Sequence, residues 1–457
     1  MNNRNNFLLG AFFFNIVTII FFILTAFEDY FDLKIIFAII NAVVIFVGYK
    51  AFNNVMHPYM IFIYVFDLFL GSRVFLDILG SGKFYVTDYF TFYEFGWHIQ
   101  KEMLRALILS LLGLQTGMLC AFVFKTEIKL KTEPTVIKYS IIVMKLCIPF
   151  VIYRFFEIIK YVFENGYLAL FLEPDLLNSP LSHFVVLYQF SFFAFLSAKP
   201  DYNRMKRFVF IYFIIMLATL LGGQRGLFAS QLLLLGGYYS LYIGRLKFKN
   251  VLLAIVIFVS LFQVISLTRT SGFQDISSSL SLADQQEKTL FESFIYQQGI
   301  SISVIGYAIQ RGITNESEEL LYPLWGYIYD KGVDNIKDNH YETYADKIAK
   351  YANTNKFEEG MGLSSSYVAE LYSFYGLEAV FIGNLVLAFF LIWMIYMKGN
   401  SWFGCFMFLV ISRHLYIMPR AGYIQFLPDF IKLSLVYVVA VFIMKLLKQE
   451  KANKNYL

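Results

Sequence analysis

Four arginines lie at the ends of long apolar segments of this chain: Arg225, Arg269, Arg413 and Arg420. A guanidinium stays positively charged at physiological pH, and its planar fork of N–H donors binds a phosphate or carboxylate through two parallel hydrogen bonds. Several guanidinium groups in one place repel one another unless an anion compensates them. If these segment ends share one face of the protein, the pattern predicts a site for an anionic substrate.

Two of these arginines are candidate phosphate ligands on local sequence. Arg225 belongs to the sequence GGQRG at 222–226, where it is flanked by Gln224 and Gly226, which are candidate substrate contacts. Glycines let the backbone approach a ligand closely, and the N–H groups at the start of the next helix favour an anion. The alternative is a tight helical hairpin whose arginine reaches lipid headgroups. Arg269 directly follows an apolar segment, so it is either a second ligand or an interfacial anchor.

Arg413 and His414 lie inside an apolar segment that Arg420 closes. Ionisable groups are costly within a membrane and by default indicate a function, so Arg413 is a candidate substrate contact. The alternative is an internal ion pair, for which Asp429 and Glu370 are the available carboxylates. His414 alone is more typical of a hydrogen-bonded packing residue than of a base.

The stretch GMGLSSSYVAELY at 360–372 leads into another apolar segment. Its glycines and serines suit a backbone nest or a helix start. Glu370 would lie one to two turns into that helix, where its carboxylate could accept a proton from a hydroxyl group. The alternative is a salt bridge that fixes one of the arginines.

Six further ionisable residues lie within two other apolar segments: Asp67, Arg73 and Asp77 in one, and Lys145, Arg154 and Glu157 in the other. The spacings within the pairs Arg73–Asp77 and Arg154–Glu157 allow ion pairs along one helix. Such pairs are structural, or they form a proton or ion path, as in a transporter. Asp67 has no partner on its own helix.

Several catalytic signatures are absent from the sequence. It has no Walker A motif, no GxGxxG after a strand, no HExxH, no GxSxG and no DxD pair in a loop. We therefore expect no soluble nucleotide chemistry, no metal, no cofactor and no nucleic-acid binding. The three cysteines all fall in apolar segments and are interpreted as packing residues: Cys120, Cys147 and Cys405.

The elements that carry these residues are predicted to be membrane helices. Hydrophobic residues make up 58% of the 457 residues and charged residues only 16%, well below the roughly 25% that is usual in soluble domains. Twelve apolar segments approach the length of a membrane span: 7–27, 33–52, 57–77, 103–124, 139–161, 184–198, 208–222, 227–244, 250–267, 377–397, 401–418 and 424–446. The first is not followed by a cleavage site, so we interpret it as a retained helix.

The distribution of basic residues predicts the orientation. Lysine and arginine concentrate in alternate short connections and in the C-terminal tail: Lys50; Lys125, Lys129, Lys131 and Lys138; Lys199, Arg204, Lys206 and Arg207; Arg245, Lys247 and Lys249; Lys398; Lys448, Lys451 and Lys454. Because cytoplasmic loops carry the positive excess, twelve helices with both termini cytoplasmic is the consistent answer. The four arginines at the segment ends then lie towards the extracytoplasmic side.

One long extracytoplasmic loop interrupts the apolar segments. We divide the chain, as one membrane domain, into helices 1–9 at 1–267, the loop at 268–375, and helices 10–12 with a basic tail at 376–457. A loop of this length is usually functional. Apolar periodicity predicts helices at 287–310 and 339–352, the latter with Tyr341, Tyr344 and Ile348 on one face.

Four features occur together in this sequence: GGQRG at a turn before a helix, an arginine right after the ninth segment, a long loop that ends in GMGLSSSYVAELYSFYGLEA, and the block SRHLYIMPRAGYIQF at 412–426. Together they resemble the Wzy-type O-antigen polysaccharide polymerases. In that family a segment G-x-G-x-S-S-x-(I/V)-A-E-L-Y-x-x-(F/Y)-G opens the helix after the large periplasmic loop. A short helix also tends to lie where Tyr344-Ala345-Asp346-Lys347-Ile348-Ala349 stands. The resemblance covers about residues 200–435, and the GMGLSSSYVAELY stretch is its specific part.

The resemblance implies a bacterial inner-membrane enzyme that works at the periplasmic face. Its substrates would be polyprenyl-diphosphate-linked oligosaccharides, and growing glycan would pass from its lipid diphosphate to an incoming unit without a metal. Arg225, Arg269 and Arg420 would contact the diphosphate or glycan, and Glu370 would be the base or would orient an arginine. Further candidate contacts are Tyr367 and His340. A chain-length regulator protein is a further candidate partner.

Two alternatives remain open at this point. One is the related O-antigen ligase, which moves finished glycan onto lipid A-core and also has about twelve helices and a large periplasmic loop. The other is a non-enzymatic flippase or exporter, in which Asp67, Arg73 and Lys145 would line a cavity at the membrane midplane. The distinctive sequence of the outer loop favours the polymerase.

Overall fold

The computed structural model describes residues 2–24, 30–79, 95–165, 179–222, 225–246, 249–254, 256, 259–260, 290–312, 343–358 and 362–435. Within these ranges every regular element is helical and none is a strand. In the part of the chain that the structure describes, five helices are long and apolar enough to cross a membrane: Asp32–Phe52, Trp97–Phe124, Pro134–Asn165, Tyr367–Tyr396 and Trp402–Arg420. The chain is thus a multi-pass membrane protein whose described elements are all helices, while the count of twelve spans and the position of the termini stay predictions.

The N-terminal half of the chain contains nine helices that we label within the described residues: α1 (Asn2–Leu24), α2 (Tyr30–Phe52), α3 (Pro58–Phe66), α4 (Ser72–Ile78), α5 (Trp97–Ala121), α6 (Pro134–Asn165), α7 (Leu181–Ser197), α8 (Tyr202–Leu221) and α9 (Arg225–Tyr242). A π-helical turn, Asp67–Gly71, joins α3 to α4. The predicted segments 57–77 and 227–244 coincide with α3–α4 and α9 to within a few residues.

We label six further helices in the described residues after 242: α10 (Leu290–Gln298), α11 (Ser301–Arg311), α12 (Tyr344–Ala352), α13 (Thr354–Glu358), α14 (Tyr367–Trp393) and α15 (Trp402–Leu415). The helical content predicted over 287–310 is present from Leu290 to Arg311, where it is divided by a break between α10 and α11. The backbone of Gly299 lies so close to Ser72 and Arg73 that a Cβ there would meet the Arg73 side chain at 2.7 Å. Tyr344 and Ile348 are buried on one face of α12, as predicted; Tyr341 lies outside the described residues.

Helix α5 packs along α14 at the centre of the bundle. Two glycines of α5, Gly113 and Gly117, form a G-x-x-x-G pattern that faces the backbone of α14. A Cβ on Gly113 would lie 2.5 Å from the carbonyl oxygen of Phe381, and one on Gly117 would collide with the carbonyl of Leu385. Small residues allow this close approach of the two backbones. Inside a membrane, the van der Waals contacts that result stabilise helix association in place of the hydrophobic effect.

Leucine at Gly117 is expected to destabilise the protein by about 1–3 kcal/mol, because the new side chain has to push α5 away from α14. Thermal unfolding of the purified protein in detergent measures the effect. Gly10→Leu is the matched control, since nothing lies within 4 Å of a Cβ at Gly10. Equal melting temperatures for the two variants would contradict the close packing.

Helix α14 reverses direction at Tyr375 and Gly376 and forms a hairpin of two antiparallel arms. Gly376 has φ +63° and ψ −150°, a backbone conformation that favours glycine. The Tyr367 hydroxyl donates to Asn384 Oδ1 over 2.6 Å across seventeen positions, which in a straight helix would be about 25 Å apart. The first arm, residues 367–374, therefore begins about 12 Å below the hairpin tip.

The hairpin tip and the far end of α14 lie on opposite faces of the bundle. Tyr375 at the tip is 73% exposed. Beyond the other end, the Tyr396 carbonyl accepts a hydrogen bond from Thr126 Oγ1 at 3.2 Å, and the Lys125 ammonium lies over the Tyr396 ring. Those two partners belong to a lysine-rich connection that the sequence predicts to be cytoplasmic. The tip is thus on the face that the sequence predicts to be periplasmic.

Candidate functional site

The serine segment, residues 364–366, enters the first arm of the hairpin deep in the bundle. Ser366 is the N-cap residue of α14, and its side chain makes no capping hydrogen bond. Its hydroxyl is fully buried and has no hydrogen-bond partner among the residues that the structure describes. Ser364, by contrast, is exposed. The start of a helix presents unsatisfied N–H groups with a partial positive charge, so this segment offers donors to an anion.

Glu370 ties this segment to a distant part of the chain. Its carboxylate accepts a hydrogen bond from Ser365 Oγ at 2.7 Å and another from the backbone N–H of Tyr423 at 2.7 Å. A Cβ on Gly422 would lie 2.9 Å from Glu370 Oε1, so the connection after α15 lies directly against the carboxylate. Within the described ranges Glu370 forms no ion pair. This geometry suits a positioning residue better than a base.

Arg420 contacts the serine segment from the connection that follows α15. It ends a short 3₁₀ turn, Met418–Arg420, that packs against the π-helical turn Asp67–Gly71. Its Nε donates to Ser364 Oγ at 3.3 Å, across 56 positions of sequence. Arg420 is half-buried, so its guanidinium is held in place at the exposed end of the serine segment.

Tyr367 and Tyr423 hold the hairpin together beneath this site. The two rings stack with centroids 6.3 Å apart, and the Tyr423 hydroxyl donates to the carbonyl of Gly383 at 2.8 Å. Burial raises the pKa of Tyr423 to about 12, so its hydroxyl keeps its proton at neutral pH. Tyr367, a candidate substrate contact on sequence, is fully buried against Asn384, which gives it a packing role in the hairpin.

Arg413 lies in an internal network. Its Nη2 donates to Asp429 Oδ2 at 2.8 Å and its Nη1 to Gln189 Oε1 at 2.9 Å. His414 Nε2 lies 2.9 Å from the same Asp429 oxygen. Of the two carboxylates that the sequence left open, Asp429 and not Glu370 is the partner. No sequence pattern pointed to Gln189, because the contact crosses between α7 and α15.

Arg225 is the first residue of α9 and is half-buried. Gly222, which caps the end of α8, packs against α6, since a Cβ on Gly222 would lie 3.0 Å from Ile158 Cγ2. One helical turn away, Arg154 is 2% exposed and pairs with Glu157 at 3.3 Å, which confirms the predicted pair. The C-terminal part of α6 thus packs against Gly222, the first residue of the GGQRG sequence, a neighbour that sequence reasoning missed.

Three predicted site residues lie outside the described residues: Gln224, Arg269 and His340. Gly226 is described and exposed, with open space where a side chain would be. The convergence of Arg225 and Arg269 on the Arg420 site therefore stays a prediction. The structure does bring Arg420, Glu370 and Tyr367 together around the serine segment.

The profile of the family O-antigen polysaccharide polymerase Wzy matches residues 10–451 of the chain. The chain belongs to this family. It is a membrane protein of O-antigen polysaccharide biosynthesis, and its family supports a polymerase activity on lipid-linked oligosaccharides. Comparison with curated proteins and with solved structures gave no match.

Two helices of the long segment between α9 and α14 of this Wzy family member dock on a buried arginine. Arg73 is fully buried, and its Nε donates to the carbonyl of Tyr296 at 3.1 Å while its guanidinium lies 4.1 Å above the Tyr296 ring. Its Nη1 contacts Ser303 Oγ at 3.4 Å. Asp77, the predicted partner of Arg73, pairs with Lys34 at 2.6 Å. Arg73 therefore anchors α10 and α11.

A third helix of this segment lies against the first arm of the hairpin. The Tyr344 hydroxyl of α12 contacts Ser373 Oγ at 2.5 Å and donates to the carbonyl of Ala369 at 3.2 Å. A capping box between Thr343 and Asp346 fixes where α12 begins. Helices α10, α11 and α12 of the Wzy family member thus pack around the bundle that carries the serine segment.

Methionine at Arg73 is expected to loosen α10 and α11, because the Tyr296 carbonyl loses a charged donor in a buried place. Amide hydrogen exchange in these helices should accelerate about tenfold. Lys145→Met removes the same charge from an exposed position on α6 and serves as the control. Unchanged exchange in the Arg73 variant would show that the helices dock without it.

Proposed function

We propose that this protein polymerises polyprenyl-diphosphate-linked O-antigen repeat units at the periplasmic face of the bacterial inner membrane. In each step a hydroxyl of an incoming unit attacks the anomeric carbon of the growing glycan. The bond from that carbon to the diphosphate breaks, and the polyprenyl diphosphate leaves with the electron pair. The hydroxyl passes its proton to the departing diphosphate or to water as the new glycosidic bond forms.

The hydrogen bond between Arg420 and Ser364 carries this proposal. This hydrogen bond holds the Arg420 guanidinium near the start of the first arm, two residues from Ser366 with its buried hydroxyl. All three can donate hydrogen bonds to an anion. Preorganised donors that stabilise the negative charge of a transition state supply the largest part of the rate enhancement in many enzymes. Half-helix N-termini inside membrane proteins are used in this way for anionic substrates. Because side chains and backbone supply the positive charge, the proposed reaction needs no metal.

The surroundings of the site suit a substrate with a lipid end and a sugar end. The serine segment begins the arm about 12 Å below the hairpin tip. A diphosphate bound there would therefore lie close to the polyprenyl chain to which it is attached. Exposed aromatic rings stand above it on the same face, such as Trp97 and Tyr375. Aromatic faces are suited to stacking against the apolar faces of sugar rings.

The transporter alternative receives no support from the described residues. It requires Asp67, Arg73 and Lys145 to line one cavity. Asp67 accepts a hydrogen bond from Asn41, Arg73 is packed under α10 and α11, and Lys145 is exposed on α6. None of the three lines the cavity of about 840 Å³ between α6, α7, α8 and α9 or the cavity of about 170 Å³ between α1, α2 and α5.

Deletion of the gene in its host, followed by electrophoresis of the lipopolysaccharide, tests the function. The proposal predicts cores that carry a single repeat, with the ladder of longer chains gone. Bare cores with long glycan left on the carrier lipid would indicate a ligase instead. Bare cores with single repeats trapped at the cytoplasmic face would indicate a flippase.

A further inference from the structure

A groove of about 840 Å³ opens on the opposite face of the bundle from the serine segment. It lies where α6 and α8 begin and where α7 and α9 end, among the basic connections that the sequence predicts to be cytoplasmic. Its floor is largely apolar and includes Ile137, Ile141, Met205 and Tyr238. None of the site residues discussed above lines it.

Cations dominate the rim of this groove. Lys138, Lys199 and Arg204 line it together with a single carboxylate, Asp201. Asp201 caps α8 through the backbone N–H of Arg204 at 2.9 Å and pairs with the Arg204 Nε at 3.4 Å. Three cations less one carboxylate leave two net positive charges above an apolar floor.

Lys199 has a backbone conformation that is unusual for its type. Its φ is +51°, a left-handed value at the end of α7 where glycine is the favoured residue. Its Nζ donates to the carbonyl of Leu130 at 3.1 Å, which holds the side chain beside the connection that leads to α6. Backbone strain that persists in a non-glycine residue is often associated with function. At Lys199 this conformation keeps an ammonium group at the edge of the groove.

The floor of the groove continues onto the membrane-facing surface of α6. Ile142 lines the groove and is 43% exposed, and Leu146 one turn further along the helix is 66% exposed. A ligand with an anionic head at the rim could therefore extend an apolar tail along α6. A soluble acidic peptide lacks the long apolar chain that would cover this continuous apolar surface.

We propose that the groove binds an anionic phospholipid of the cytoplasmic leaflet. The phosphate lies among Lys138, Lys199 and Arg204, and an acyl chain follows the floor past Ile142. Basic pockets between membrane helices on this side of a membrane bind such headgroups. The site is independent of the proposed polymerase activity and lies on the other face of the protein.

Titration of the delipidated full-length protein in detergent with phosphatidylglycerol, read by native mass spectrometry, tests the proposal. The triple variant Lys138→Gln, Lys199→Gln and Arg204→Gln should bind at least about tenfold more weakly than the unchanged protein. The control triple Lys131→Gln, Lys206→Gln and Arg207→Gln removes the same charge from exposed positions outside the groove and should bind within about twofold. Phosphatidylcholine should bind the unchanged protein at least about tenfold more weakly than phosphatidylglycerol.

A second variant separates a built site from general charge attraction. Ile142→Trp keeps every cation and fills the floor, so phosphatidylglycerol binding should again fall about tenfold. Equal binding by the groove triple and the control triple would overturn the proposal. So would a loss in both triples with full binding by Ile142→Trp, since charge alone would then explain the attraction. Equal binding of the two lipids would overturn it as well.

Discussion

Alanine at Arg420 is expected to reduce polymer formation by at least about 100-fold, the usual effect of removing one donor from a developing oxyanion. The guanidinium rests on Ser364 and is the charged donor observed at the start of the first arm. In the proposed reaction the leaving diphosphate gains negative charge as its bond to the sugar breaks. Without Arg420 that charge would meet only hydroxyl and backbone N–H groups, which are weaker donors.

Complementation of a deletion strain, with the length and amount of O-antigen read from a gel, measures this effect. Arg420→Lys keeps the charge but loses the fork of donors, so an intermediate ladder is expected. Arg207→Ala is the control, because it removes an exposed arginine from the opposite face. A normal ladder from the Arg420→Ala strain, at normal protein levels, would remove Arg420 from the site.

Substitutions at Glu370 are expected to separate a positioning role from a catalytic one. Glu370→Ala leaves the Ser365 hydroxyl and the Tyr423 N–H without their acceptor, and each buried orphan costs about 1–3 kcal/mol. A lower melting temperature and a loss of most polymer formation should follow. Glu370→Gln keeps one carbonyl oxygen as an acceptor, so it should retain at least roughly a tenth of the activity.

The comparison of the two variants decides between the roles. If Glu370 is the base, the glutamine variant should be as inactive as the alanine variant and yet melt near the unchanged protein. If Glu370 positions the serine segment, activity and melting temperature should fall together across the series. Glu378→Ala removes an exposed glutamate from the second arm of the same hairpin and should change neither property.

Helices that run straight through the apolar bundle could be predicted from the sequence, because an uninterrupted apolar run has few other structures available in a membrane. α2 and α6 follow the predicted segments 33–52 and 139–161 closely. The hairpin of α14 could not be predicted in the same way. The sequence predicts a helix start near Glu370, but the division at residue 375 places this arm in the long loop. Hydropathy carries no information on whether a short helix folds back into the bundle. Gly376 was the available signal, since the reversal needs a residue that tolerates its φ of +63°.

Pairs within one helix could also be predicted, and Arg154–Glu157 is an example. Contacts between helices could not, because one sequence gives no distances between segments. The Arg420–Ser364 hydrogen bond joins positions 56 residues apart. The second ligand of Glu370 is a backbone N–H, which leaves no trace in the sequence. Sequence patterns thus identified Arg420 and Glu370 as candidates. Their hydrogen-bond partners, Ser364 for Arg420 and Ser365 with the Tyr423 N–H for Glu370, are visible only in the structure.

The most direct test of the account uses the purified protein in lipid nanodiscs with polyprenyl-diphosphate-linked repeat units as the only substrate. Mass spectrometry of the products should show glycans that lengthen by whole repeats, with one polyprenyl diphosphate released for each new linkage. The Arg420→Ala protein should leave the substrate as single repeats. Intact single repeats after incubation with the folded, unchanged protein, or transfer of glycan only when lipid A-core is added, would contradict the account.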